Sequence, residues 1–180
     1  AKPSGATIEI AVNRQKATGT KKGSLVVNPG GPGASGVDYA AAADSIVSSG
    51  VRESFDVVGF DPRGVQRSAA ITCVGDAELD DLLGADPSPD NAAEQKELLA
   101  ADKSFADACK KNAGPLLGHV STEEAAKDMD VLRAALGEDK LDYLGKSYGT
   151  FLGASYAEQF PKKVGRMVLD GVLPPDLTMA

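Results

Sequence analysis

Histidine occurs once in this chain of 180 residues, at position 119. Cysteine is nearly as scarce, with Cys73 and Cys109 alone. Two thiols allow one intramolecular pairing, or two buried free thiols of the cytosolic kind, and the count leaves both open. Long apolar runs are absent. None approaches the ~20 residues that span a bilayer, which argues against a membrane partner. Basic clusters are absent too. The net charge is −7, and Lys21-Lys22 and Lys162-Lys163 are isolated pairs that read as solvated turns. A nucleic-acid partner, which needs a positive stripe to track phosphates, is therefore not expected. There is neither an initiator Met nor a signal peptide. Ala1-Lys2-Pro3-Ser4-Gly5 reads as the interior of a longer sequence or a processed start, so the missing signal says little about secretion.

What remains is an ordinary globular balance, 42% hydrophobic and 25% charged. It suffices for one domain with a core, or for part of a larger one. Thr7–Asn13 alternates and reads as a strand with one buried face. Ser24–Asn28 and Phe55–Phe60 are continuous apolar runs, as in strands buried on both faces. Val37–Val47 reads as an Ala-rich helix stopped by Gly50. The stretch from about 73 to 114 is rich in Ala, Asp and Lys and broken by Pro87 and Pro89. It reads as a helical excursion over the sheet. Ser121-Thr-Glu-Glu124 is a capping box opening an amphipathic helix, with Ala125, Met129, Leu132 and Leu136 on one face and Gly137 ending it. A strand at Leu141–Leu144, a helix over Tyr148–Gln159 and a strand at Val164–Leu169 follow. Strands alternating with helices predict an α/β fold, a mostly parallel sheet with helices on both faces.

Two constellations carry chemistry. In Leu141-Asp-Tyr-Leu-Gly-Lys-Ser147-Tyr-Gly-Thr150, glycines flank Ser147 at minus two and plus two. This is the Gly-x-Ser-x-Gly spacing of a nucleophile elbow, where a serine on a strained strand-to-helix turn projects its hydroxyl and its neighbours must lack bulk. A phosphate-binding loop is excluded, because it needs a glycine at position 140, which is Lys. Asn28-Pro-Gly-Gly-Pro-Gly33 is the second. Acyl transfer needs two N–H donors aimed at the developing oxyanion. Tyr148, the residue after the serine, supplies one, and Gly31 in the glycine loop is the candidate for the other.

Together with Phe60-Asp-Pro-Arg-Gly64 and Leu169-Asp-Gly-Val172, these motifs resemble the α/β-hydrolase peptidases of the prolyl and tripeptidyl aminopeptidase family, secreted bacterial tripeptidyl aminopeptidases above all. The resemblance covers essentially the whole chain. It implies a serine exopeptidase that removes short peptides from a free N-terminus through an acyl-enzyme at Ser147, with no metal or cofactor. It implies Gly31 and Tyr148 as oxyanion donors, and Asp61 and Arg63 as organisers of a neighbouring loop; read from the residues alone, that pair is a structural ion pair. It implies an exported, extracellular protein, which favours a Cys73–Cys109 disulfide.

The triad of this fold runs Ser, then Asp or Glu, then His along the chain. No histidine follows Ser147, and His119 reads as a surface residue. Asp170 ends the strand after the elbow helix, but the resemblance places the acid on a later strand. Pro174-Pro-Asp-Leu-Thr-Met-Ala180 falls where this family inserts a cap. The expectation is therefore the N-terminal part, residues 1–180, of one α/β-hydrolase domain, lacking the cap and last strands. It should be inactive alone and should need its C-terminal portion as partner. The alternatives are an esterase of the same fold, or a non-catalytic binding or assembly module that retains the elbow.

Overall fold

A computed structural model describes residues 5–174. The start at 1–4 and the tail at 175–180, where the sequence suggested a processed end and a cap junction, lie outside the described residues. In chain order the elements are β1 (Val12–Gln15), β2 (Gly23–Asn28), α1 (Gly36–Ala41), α2 (Ala43–Ile46), α3 (Ser49–Ser54), β3 (Phe55–Phe60), α4 (Asp76–Leu83), α5 (Ala92–Asn112), α6 (Thr122–Ala135), β4 (Leu141–Lys146), α7 (Tyr148–Gln159) and β5 (Val164–Asp170). Short 3₁₀ turns occupy Gly114–His119 and Pro161–Lys163. They form two compact units: one up to Ala70 and from Val120 on, the other Ile71–His119.

The first unit is a five-stranded sheet in the order β1-β3-β2-β4-β5, with β1 antiparallel and the others parallel. The apolar runs of β2 and β3 place them centrally, because adjacent residues there must be buried on opposite faces. Val26, Val58 and Tyr143 pack under α6 and α7, against Ala126, Met129, Leu152 and Tyr156. Their neighbours Val27 and Val57 pack with Ala40 of α1 and Ala43 of α2, joined by Leu25 and Leu144. The sheet is thus covered on both faces.

Two elements depart from the sequence reading. β1 begins at Val12 rather than Thr7, because its partner β3 ends at Phe60, which lies opposite Val12. Alternation upstream marks a face but has no ladder to join. The Ala-rich segment is two short helices, α1 and α2, and Gly50 sits inside a third, α3, rather than ending a helix. The breaks fall at Ala42 and at the extended Val47 and Ser48. α6 begins and ends as its sequence suggests: Ser121 Oγ accepts the Glu124 N–H at 3.3 Å, and Gly137 takes a left-handed φ of 77°.

Asp56 is a buried carboxylate in β3. It accepts the Ala17 N–H at 2.8 Å and pairs with Arg14 and with Lys21 at 3.3 Å. Burial alone would raise its pKa, but the Ala17 N–H and the Arg14 and Lys21 side chains outweigh it and hold the carboxylate below its ordinary value. A lowered folded pKa gives stability that is complete above the unfolded value, about 3.9, and is lost as pH falls through the folded one. Asp56→Asn should lower stability near neutrality by about 1–3 kcal/mol and flatten the acid limb of a melting-temperature profile below about pH 4. An unchanged acid limb would contradict this.

The second unit holds α4, α5 and the Gly114–His119 turn. No residue of either α-helix is fully buried. The Cys73–Cys109 disulfide ties its ends together, and Asn112 Nδ2 donates to the Cys73 carbonyl at 2.6 Å. Closing a loop across a sequence separation of 36 contributes on the order of 4 kcal/mol by chain entropy. That offsets the thin core.

Candidate active site

Because β2 and β4 are parallel neighbours with Asn28 in register with Gly145, the loops leaving them open at the same edge of the sheet. The chain leaves β4 at Lys146 and enters α7 at Tyr148, so Ser147 alone makes the turn. Its φ is 52° and its ψ −124°, a conformation that costs a side-chain-bearing residue about 1–3 kcal/mol. The surroundings enforce it. The Ser147 N–H donates to the Asp170 carbonyl at 2.9 Å, and the Ser147 carbonyl accepts the Thr150 N–H at 2.8 Å and Thr150 Oγ1 at 2.7 Å. Thr150 Oγ1 in turn accepts the Leu173 N–H at 2.9 Å. The serine side chain stays exposed.

The flanking glycines have a steric reason. A Cβ on Gly145 would lie 2.3 Å from the Gly149 carbonyl oxygen, and one on Gly149 would lie 2.8 Å from Asn28 Oδ1. Tyr143 is fully buried beneath the turn and donates its hydroxyl to the Gly149 carbonyl at 2.8 Å. Burial pushes its phenol far above the ordinary value, so it remains a donor.

The glycine loop abuts the elbow, but through a residue the sequence did not single out. A Cβ on Gly30 would meet the Lys146 carbonyl oxygen at 2.4 Å, the Tyr148 nitrogen at 3.0 Å and Ser147 Cβ at 3.1 Å. Gly30 has φ 94°, and its N–H is held by Asn28 Oδ1 at 2.9 Å. Gly31 follows with φ 109° and is exposed. Tyr148 is the first residue of α7, so its N–H has no acceptor inside the helix.

Asp61 and Arg63 are not a pair. Asp61 is fully buried and caps the start of α1, accepting from Ser35 Oγ at 2.6 Å and the Val37 N–H at 3.2 Å. It also accepts the Arg67 N–H at 3.1 Å. Arg63 turns instead to α6 and grips Asp128 with two bonds of 2.7 and 2.6 Å. That Asp128 hydrogen bond is the main reason its pKa rises. The two side chains organise different helices, which adjacency in sequence does not reveal. Asp170 gives its carbonyl to Ser147, while its carboxylate lies exposed 3.6 Å from Lys146 Nζ. His119 ends the 3₁₀ turn of the second unit. Among the described residues no group of His, Cys, Asp and Glu could hold a metal ion, and no helix is long and apolar enough to cross a membrane.

The parallel sheet, the doubly covered strands and the strained serine at the end of β4 are those of an α/β hydrolase, and the chain belongs to the alpha/beta hydrolase fold family, whose model matches residues 23–179. It is 46% identical over 180 residues to a Tripeptidyl aminopeptidase of Streptomyces coelicolor, covering 97% of this chain and 33% of that one. It is 47% identical over 178 residues to Serine protease Hip1 of Mycobacterium tuberculosis, covering 97% and 34%. It is 44% identical over 179 residues to Carboxylesterase B of the same species, covering 96% and 34%. The chain spans about a third of the length of the curated relatives it matches.

Proposed function

We propose that this chain is the nucleophile-bearing part of a secreted serine aminopeptidase that releases short peptides from free N-termini. The observation that carries the reading is Ser147, held exposed at a left-handed φ of 52° with the Gly30 loop against it. The relative named Tripeptidyl aminopeptidase, 46% identical, supports a peptide substrate. The Cys73–Cys109 disulfide accords with an oxidising, extracellular location.

In the proposed reaction, Ser147 Oγ attacks the scissile carbonyl as a general base takes its proton. The carbonyl oxygen becomes an oxyanion and accepts from the Tyr148 N–H and the Gly31 N–H. The Gly30 N–H is committed to Asn28, which leaves Gly31 as the next donor along the loop. Collapse expels the amine with the proton, and water then cleaves the acyl-enzyme. The one histidine of the chain lies in the second unit, before the nucleophile. We therefore place the base and its carboxylate in the remainder of the protein, which is the implied partner.

The test is hydrolysis of a free and an N-blocked tripeptide anilide by the full-length protein. The free substrate should be preferred. Preference for the blocked one, or for a simple acyl ester, would favour the esterase reading, which the similarity to Carboxylesterase B supports. The 180 residues alone should show no turnover, and full activity would remove the need for an outside base.

A further inference from the structure

Tyr148 carries two polar groups with different surroundings. Its backbone N–H opens α7 and is a proposed oxyanion donor. Its phenol meets Thr122 Oγ1 at 2.8 Å. Thr122 is the first residue of α6, and that end of α6 is itself fixed. Ser121 caps it, and Arg63 holds it from the loop after β3 through Asp128 and, at 3.6 Å, Glu124. The Tyr148 ring is flanked by Phe151, with centroids 6.3 Å apart, so the hydroxyl contact fixes the tip of a ring that is otherwise only half-buried.

α6 and α7 are already joined by buried Ala125, Ala126, Met129, Leu152 and Tyr156, and Tyr156 donates its hydroxyl to Asp130 at 3.1 Å. Burial, then the Asp130 contact, pushes that phenol up to about 12, so it too stays a donor. The Thr122–Tyr148 contact is thus one of several between the two helices, and among the described residues it alone acts on the polar tip of the residue that joins the nucleophile to its helix. Stabilisation of a developing oxyanion depends steeply on where the donor sits.

We propose that Thr122 is a positioning residue which, through the Tyr148 phenol, holds the Tyr148 N–H on the oxyanion. The proposal rests on the serine-hydrolase reading of Ser147. Arg63, Asp128 and Glu124 act one step further out, by fixing the end of α6 from which Thr122 reaches.

The experiment measures kcat and KM for a free tripeptide anilide in the full-length protein. The variants are Thr122→Val, Thr122→Ser, Tyr148→Phe and the double change Thr122→Val/Tyr148→Phe, with melting temperatures for each. Thr122→Val should lower kcat about tenfold with KM within about twofold. Thr122→Ser should restore it, Tyr148→Phe should match the loss, and the double change should lose no more than either single one. Melting temperatures should stay within a few degrees of the parent. Unchanged kcat in Thr122→Val, losses that multiply in the double variant, or an effect confined to KM would overturn the proposal. Fluorophosphonate labelling of the parent protein separates the two levels. Labelling at Ser147 with normal turnover in Thr122→Val sinks this proposal alone, whereas no labelling at Ser147 sinks the hydrolase reading with it.

Discussion

Ser147→Ala in the full-length protein is expected to reduce turnover of a tripeptide anilide by at least about 10,000-fold, with the melting temperature almost unchanged. The size follows from the role proposed for Ser147. Removing a nucleophile removes the covalent path itself, and what survives is substrate positioning and the oxyanion donors. The small thermal effect follows from the turn, since Ala at φ 52° carries the same backbone strain as Ser. Ser147→Gly sharpens the point. Glycine occupies that region freely, so the variant should be more stable than the parent by about 1 kcal/mol and equally inactive. Inactivity coupled to gained stability cannot be ascribed to misfolding. Progress curves, calorimetry and the mass of a fluorophosphonate adduct check all three statements. If Ser147→Ala keeps a tenth of the parent activity, the nucleophile lies elsewhere. If the parent forms no adduct, the chain is a binding or assembly module on a hydrolase fold.

Much of the fold was legible because burial on two faces leaves a compositional trace. Val26-Val27 and Val57-Val58 announce central strands, since consecutive apolar residues in a strand need a cover on each side. The edge was less legible. β1 has one buried face, and where it starts is decided by where β3 ends, which lies 48 residues further along the chain at Phe60, opposite Val12. The broken helix after Gly36 was missed for a local reason. Alanine gives the segment helix propensity throughout, and the interruptions at Ala42 and Val47 carry no Gly or Pro signal.

The elbow was legible because Gly145 and Gly149 are short-range partners of one turn. The loop facing it was only half legible. Three glycines after β2 say that backbone comes close to something, but which one does so depends on the β2–β4 register, a contact across more than a hundred residues. The structure selects Gly30 for approach to the turn and leaves Gly31 exposed beyond it. Thr122 and Thr150 left no signal, since a threonine at a helix start reads as capping chemistry and one inside α7 reads as filler. Asp61 and Arg63 misled because a carboxylate and a guanidinium two residues apart suggest a pair, while in the structure they serve α1 and α6 separately.

Gly30→Ala is expected to cost about 100- to 1,000-fold in kcat, the effect of losing one oxyanion donor, while the sheet stays folded. The added Cβ would sit 2.4 Å from the Lys146 carbonyl oxygen and 3.0 Å from the Tyr148 nitrogen. Both are backbone atoms flanking Ser147, which Asp170 and Thr150 hold, and they yield far less readily than the far end of a flexible side chain. The loop must therefore retreat, and Gly31 retreats with it. The φ of 94° adds strain in the same direction. Gly33→Ala is the control. Its φ of 107° makes it strained as well, but nothing lies within 4 Å of its Cβ, so it carries the conformational penalty without displacing the loop from the turn. Gly33→Ala should therefore lose a little stability and keep most of its activity. Steady-state kinetics on both variants, with circular dichroism melts, decides the matter. Equal activity losses in the two would mean that loop strain, rather than the approach of Gly30 to Ser147 and Tyr148, governs the site.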